Sequence, residues 1–295
     1  MPTQITDALT IQHEKQIIRD VAGLSKTDEI VFNDRGWDSR VYSFGQGRYF
    51  FKFPRSPKIQ NGYKYEIAAI KFLHDLDTKV VGQKLLWEHP ENAYFGYEGV
   101  QGQPVVNVMS TLTTSQKQAI GEALGDFLKQ FHALQLSGAR TMRLEDESKQ
   151  IQRWYEGCKP TIQKWFTEGE QRRLHGLVYE EWPAKLVELG QELVLSHGDL
   201  HFENILYGEN GSVGIIDFGD VAYYDCSKDF LELEEEPAIF KSVLAVYGGH
   251  GDTLGQKIAV RQAMIQIINL GFQAGKNDES SVAQTVEKIK ARLRV

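Results

Sequence analysis

His197-Gly198-Asp199-Leu200-His201-Phe202-Glu203-Asn204, followed thirteen residues after Asn204 by Asp217-Phe218-Gly219-Asp220, is the stretch of this 295-residue chain that decides its reading. Leu193-Val194-Leu195 precedes the first block, Ile205-Leu206-Tyr207 follows it, and Val213-Gly214-Ile215-Ile216 leads into the second. Such short apolar runs read as strands. The polar groups then sit at strand ends, where loops present them to a cleft. An isolated Asp is usually a turn or cap residue. Two blocks that hold three chemically apt residues at fixed spacings ask for a shared chemical reason.

Phosphoryl transfer from a nucleotide supplies one. It needs a carboxylate to orient and deprotonate the attacking hydroxyl, hard oxygen ligands for Mg²⁺, and a cation to fix the donor phosphates. In protein kinases, H-x-D-x-x-x-x-N followed by D-F-G meets the first two needs. On that reading Asp199 is the base, and Asn204 and Asp217 are the metal ligands. The cation candidate is Lys52, within Tyr49-Phe50-Phe51-Lys52-Phe53-Pro54. Strand alternation puts Lys52 on the face opposite Phe51 and Phe53. The bland alternative is an edge lysine facing water. Glu66, fourteen residues on, falls on the next expected helix and could hold Lys52 toward the phosphates. The segment Asn33-Asp34-Arg35-Gly36-Trp37-Asp38-Ser39-Arg40 has one glycine, and no Walker A sequence is present, which argues against a P-loop NTPase. Its Ser39 hydroxyl and backbone N–H groups are candidates for phosphate contacts.

Working outward, residues 9–22 and 63–76 carry apolar residues at helical spacing, and 41–44 and 48–53 flank Gly45-Gln46-Gly47 as a hairpin. Further strands are expected at 84–88 and 93–98. The reading is an α+β fold with two lobes: a nucleotide-binding lobe over 1–98, a hinge at 99–104 and a mostly helical catalytic and acceptor-binding lobe over 105–295. Ser115 with Gln118 offers a capping box for a helix carrying Ile120, Leu124, Phe127, Leu128 and Phe131. Residues 150–190 read as mostly helical. Pro237 suits the first turn of a helix ending before Gly248-Gly249, and Gly248-Gly249-His250-Gly251 reads as a turn. Two more helices are expected over 256–293.

Composition bounds the function. With 33 basic and 40 acidic residues the net charge is −7, which disfavours a protein that grips nucleic acid through its phosphates. No apolar run approaches the ~20 residues of a membrane helix, and the first residues do not resemble a signal peptide. The two cysteines, Cys158 and Cys226, form no close pair or zinc-type spacing. A cytoplasmic, monomeric enzyme is the expectation. His197 is expected to fix its loop through backbone hydrogen bonds, His132 to be a core or capping residue, and Trp154, Trp165 and Trp182 to be packing anchors. The run Glu232-Leu233-Glu234-Glu235-Glu236 is either a solvated helix start or a carboxylate lining for a cationic acceptor.

The sequence resembles the aminoglycoside phosphotransferase family of small-molecule kinases, whose fold is similar to that of protein kinases. The resemblance spans about 30–275 and rests on H-G-D-L-H-x-x-N at 197–204 and I-D-F-G-D at 216–220. Gly36-Trp37-Asp38-Ser39-Arg40-Val41-Tyr42, Phe51-Lys52-Phe53-Pro54-Arg55 and Asp225-Cys226-Ser227-Lys228-Asp229-Phe230 look closest to the 2''-phosphotransferase branch. The resemblance implies ATP or GTP as donor, Mg²⁺ on Asn204 and Asp217, Asp199 as base, Lys52 on the phosphates and Glu66 orienting it. It also implies that Asp229 braces the catalytic loop. Phe95-Gly96-Tyr97-Glu98-Gly99 resembles that branch's interlobe segment, so Tyr97 and Gly99 would lie at the purine. His201, Asp220, Glu234 and Glu235 are the acceptor-side candidates. Phe202-Glu203 and Cys226-Ser227-Lys228 depart from the family pattern near the acceptor. A sugar, macrolide or amino-alcohol kinase, or a non-catalytic nucleotide-binding protein, are the alternatives.

Overall fold

Asp7 accepts a hydrogen bond from the Thr10 N–H (2.9 Å) and so starts helix α1 (Ala8–Ala22). The chain is seen here as a computed structural model that describes residues 6–34, 36, 38–248, 251–276 and 278–293. Arg35, Trp37, Gly249 and His250, which enter the sequence reading above, lie outside the described residues. After α1 come strands β1 (Val31–Asn33), β2 (Ser39–Phe44) and β3 (Tyr49–Pro54), then helix α2 (Pro57–Asp75). Strands β4 (Val80–Val81), β5 (Lys84–Glu88), β6 (Phe95–Glu98) and β7 (Gln103–Pro104) follow. Strands β1, β2, β3, β6 and β5 make one antiparallel sheet in that order.

The expected hairpin is β2–β3. Helix α2 begins six residues earlier than the periodicity indicated. Ser56 caps it and Pro57 occupies its first position, where a missing N–H costs nothing. Lys58, Gln60, Asn61 and Gly62, with Ile59 alone among them apolar, hide this first turn from a hydrophobic-period reading. Within 99–104, Gln103 and Pro104 pair with Tyr207 and Leu206.

Next come α3 (Val105–Val108), α4 (Thr114–Phe131), α5 (Leu144–Trp165), α6 (Glu168–Gly176) and α7 (Trp182–Leu189), with a π-helical turn over Leu177–Glu181. The capping box of α4 is Thr113 with Gln116, not Ser115 with Gln118. Both pairs satisfy the same spacing, and the register in which α4 buries Ile120, Leu124, Phe127, Leu128 and Phe131 selects the earlier one. Strands β8 (Leu193–Ser196), β9 (Ile205–Tyr207), β10 (Val213–Ile215) and β11 (Ala222–Asp225) surround the polar blocks. Helices α8 (Pro237–Tyr247), α9 (Gly251–Gly275) and α10 (Glu279–Leu293) complete the chain.

Two compact units result. The first comprises residues 1–139, 197–221 and 232–247. It holds the five-stranded sheet and a second sheet ordered β4-β10-β9-β7. Under the first sheet, Ile18 and Ile30 pack with Tyr42, Phe44, Phe51 and Phe53. Helices α4 and α8 lie close enough that a Cβ on Gly121 would meet the Ile239 carbonyl at 2.4 Å, and Lys117 pairs with Glu236 at 2.7 Å. His132 ends α4 and hydrogen-bonds the Tyr247 hydroxyl (2.8 Å), as a capping and core residue.

The second unit comprises residues 140–196, 222–231 and 248–295. Its core includes Ile151, Tyr155, Ile162, Trp182, Ile267 and Val286, with Trp154 and Trp165 packed against it. Asp225, 1% exposed, accepts from Lys257, Arg261, Ser227 and the Glu192 N–H. Burial alone would raise this carboxyl, but the Arg261 guanidinium and these hydrogen bonds lower it below the usual carboxylate range. Among the described residues, no helix is long and apolar enough to cross a membrane.

Candidate active site

Lys52 and Glu66 meet because β3 and α2 place them on facing sides. Lys52 Nζ lies 2.6 Å from Glu66 Oε1 and 3.1 Å from Asp217 Oδ1. Lys52 and Glu66 are 8% and 3% exposed, so Lys52 is not an edge lysine facing water. Burial works against the ammonium, yet Asp217 and Glu66 outweigh it and hold Lys52 well above its ordinary value. Burial raises the Glu66 carboxyl against the pull of Lys52. Lys52 chiefly keeps Asp217 below the usual range, so Asp217 is an anion at neutral pH.

Asp217 follows β10 and precedes a 3₁₀ turn over Phe218–Asp220. Its backbone is left-handed, φ +66° and ψ +68°. A non-glycine residue there carries strain that the surroundings must hold, and its side chain stays half-exposed. The adjacent Phe218 is fully buried, with its ring 4.7 Å from His197 and 5.7 Å from Phe131. It fastens the block to α4.

His197 fixes the loop as expected. Its Nε2 bonds the Ile216 carbonyl (3.0 Å), and its Nδ1 accepts from the Asp199 N–H (3.3 Å). Gly198, at φ +86°, provides the left-handed step that this return requires. Asn204 Nδ2 donates to the Asp199 carbonyl (2.9 Å) and to Asp199 Oδ2 (3.3 Å), and lies 3.0 Å from His201 Nε2. The Asn204 main chain ties to His201 and Ile216. Asp199 remains 46% exposed at the side chain. His201 sits 3.4 Å from Asp199 Oδ2. Burial lowers its imidazole, but Asp199, then Glu232 and Glu203, raise it overall.

The remaining candidates are spread around this centre. Ser39 opens β2, is 5% exposed, and its Oγ accepts from the Tyr63 hydroxyl (2.8 Å), a partner the sequence did not suggest. Tyr97 lies in β6, buried and stacked on Phe50 at 5.6 Å. The Gly99 N–H is taken by the Arg48 carbonyl (2.9 Å). Asp220 is exposed, as are Glu234 and Glu235 in a 3₁₀ turn over Leu233–Glu235. Glu236 is held by Lys117. The acidic run therefore divides: Leu233 is buried, Glu236 is structural, and Glu232 acts on His201. Sequence reasoning named Glu232 within the acidic run but took Glu234 and Glu235 as its acceptor-side candidates; the relation of Glu232 to His201 is one that no spacing rule reveals.

The donor set suits Mg²⁺. Asp217 is an ionised, half-exposed carboxylate. The Asn204 side-chain amide makes its hydrogen bonds through Nδ2, so among the described residues its carbonyl oxygen is available. Mg²⁺ takes hard oxygen ligands and commonly uses only one or two from protein.

The model of the phosphotransferase enzyme family matches residues 29–233. The GDP complex of an aminoglycoside 2'-phosphotransferase-IIIa aligns over 96% of this chain and 98% of its own, at 20% identity and a TM-score of 0.74. The GDP and kanamycin complex of APH(2")-IIIa aligns over 95% and 99%, at 22% identity and TM-score 0.73. A macrolide 2'-phosphotransferase type I aligns over 97% and 99%, at 16% identity and TM-score 0.64. The fold is the kinase-like α+β fold of these enzymes. With the family model covering more than half the chain, this protein belongs to the phosphotransferase enzyme family.

Proposed function

We propose that this enzyme transfers the γ-phosphoryl group of ATP or GTP to a hydroxyl of a small, cationic, aminoglycoside-like acceptor. The observation that carries the proposal is the convergence of Lys52, Glu66 and Asp217 within 3.1 Å, in the same unit as the Asp199–Asn204 loop. Asp199 aligns the acceptor hydroxyl and takes its proton. The acceptor oxygen forms a bond to phosphorus while the bond from phosphorus to the nucleoside diphosphate breaks. Lys52, held by Glu66, pairs with the donor phosphates. Asn204 and Asp217 would hold Mg²⁺, which when bound neutralises and orients the phosphate oxygens. Catalysis rests on positioning and charge rather than on a covalent intermediate.

On this reading the lobe over 1–98 and the hinge at 99–104 take the nucleotide, with Ser39 near the phosphates and Tyr97 and Gly99 at the purine. The lobe over 105–295 takes the acceptor, with His201, Asp220, Glu234 and Glu235 at its edge. The carboxylates of Glu203 and Glu232 near His201 favour ammonium groups on the acceptor over a neutral alcohol. The likeness to a macrolide 2'-phosphotransferase supports a second reading, a macrolide acceptor. A panel of aminoglycosides, macrolides, sugars and amino alcohols, each with ATP and with GTP and read as nucleoside diphosphate release, tests both. Turnover with aminoglycosides is expected. Turnover confined to neutral sugars would overturn the acceptor assignment.

A further inference from the structure

Helix α2 carries two polar side chains on the face it turns to the sheet, Tyr63 and Glu66, one turn apart. Glu66 reaches β3 and holds Lys52. Tyr63 reaches β2, where its hydroxyl donates to Ser39 Oγ (2.8 Å). Both partners are nearly closed to water, Tyr63 at 2% and Ser39 at 5% exposed. The Tyr63 ring stands edge-on to Phe95 with centroids 4.9 Å apart, and Lys52 Nζ lies 5.9 Å from the centre of that same ring. In the β2–β3 register Ser39 pairs with Pro54 and Val41 with Lys52. Paired residues share a face and alternate residues return to it, so Ser39 and Lys52 lie on the face that α2 covers.

The hydrogen bonding of Ser39 is then uneven. A hydroxyl has one proton to give and two lone pairs to fill. Burial chiefly raises the Tyr63 phenol, so it stays protonated at neutral pH and serves as the donor. A phenol donates more strongly than an alkanol, and Ser39 therefore receives. Among the described residues the Ser39 hydroxyl bonds to Tyr63 alone, as acceptor, so its own proton remains to be given. An anion held beside the Lys52 ammonium is the group to take it. We propose that Tyr63 is a positioning residue: by filling the acceptor side of the Ser39 hydroxyl it turns the O–H toward the donor phosphates, as Glu66 turns Lys52. The inference rests on the phosphotransferase reading above, which puts those phosphates at Lys52 and Ser39.

Calorimetry with MgATP, MgGTP, adenosine and guanosine on the wild type, Ser39→Ala, Tyr63→Phe and the double variant tests this. Phenylalanine keeps the ring against Phe95 and removes only the hydroxyl. Ser39→Ala should weaken triphosphate binding about ten- to 150-fold, the value of a hydrogen bond to a charged group. Tyr63→Phe should weaken it roughly three- to tenfold, and the double variant should bind as Ser39→Ala does. Nucleoside affinity should stay at the wild-type value in all three, which a general loosening of the sheet would not spare. Losses that multiply in the double variant, equal losses for nucleoside and triphosphate, or unchanged triphosphate binding in Tyr63→Phe overturn the positioning role. So does unchanged triphosphate binding in Ser39→Ala, a result that needs no folded Tyr63 variant. A wild type that binds neither nucleotide overturns the phosphotransferase reading as well. A wild type that binds them, beside any of the contrary outcomes above, removes the role of Tyr63 alone.

Discussion

Replacing Lys52 with Met removes the cation that pairs with both Glu66 and Asp217. The methionine roughly fills the aliphatic space of the lysine stem, so the loss is mainly electrostatic. Glu66 is 3% exposed and would be left as a buried carboxylate beside a second carboxylate. Breaking a buried pair from one side costs about 3–5 kcal/mol. For a chain of this size that lowers Tm by roughly 6–10 °C. Glu66→Leu in the Lys52→Met background should recover part of the loss, because the stranded charge is gone. Thermal and urea denaturation of both single variants and the double variant give the coupling energy directly. The catalytic loss is separate. Losing a charge-assisted contact to phosphate, at about 1.5–3 kcal/mol, lowers kcat/KM for the nucleotide about ten- to 150-fold. The double variant should regain stability but not activity. Strictly additive stabilities, or a Lys52→Met protein melting with the wild type, would refute the buried-pair argument.

Asp217→Asn should weaken nucleotide binding with Mg²⁺ present and change it little without the ion; calorimetry under both conditions reads the difference. The buried Asp225 in the second unit predicts an acid-labile contribution to stability. Its native value lies below the unfolded one, so the contribution is complete above the unfolded value, about 3.9, and is lost as pH falls through the native value. Asp225→Asn should therefore flatten the acid side of the stability profile by urea denaturation, and an unchanged acid limb would count against the network.

Much of the site was legible because its chemistry lies in contiguous blocks. His197 to Asn204 and Asp217 to Asp220 each sit on one turn of chain, so spacing carried their geometry. Lys52 and Glu66 were found because a lysine inside an apolar strand asks for a partner, and the next helix offered one. Helix α8 and strand β5 fell at their expected residues for a similar reason, being bounded by punctuation such as Pro237 and Gly82. What stayed hidden depends on long-range pairing. Arg55 with Asp34, Tyr63 with Ser39, and Glu232 beside His201 are separated by 21, 24 and 31 residues, and no local period links them. The α4 cap was ambiguous because Thr113-Thr114-Ser115-Gln116-Lys117-Gln118 contains the same capping pattern twice, and only packing chooses.

The most direct test of the account is the mass of the acceptor. Incubated with Mg²⁺, ATP or GTP and the aminoglycoside panel, the wild type should yield an acceptor heavier by one phosphoryl group, with one nucleoside diphosphate released per product. Asp199→Ala should bind the nucleotide normally and form no such product. Phosphorylated acceptor made by Asp199→Ala at the wild-type rate would contradict the role given to the His197–Asn204 loop.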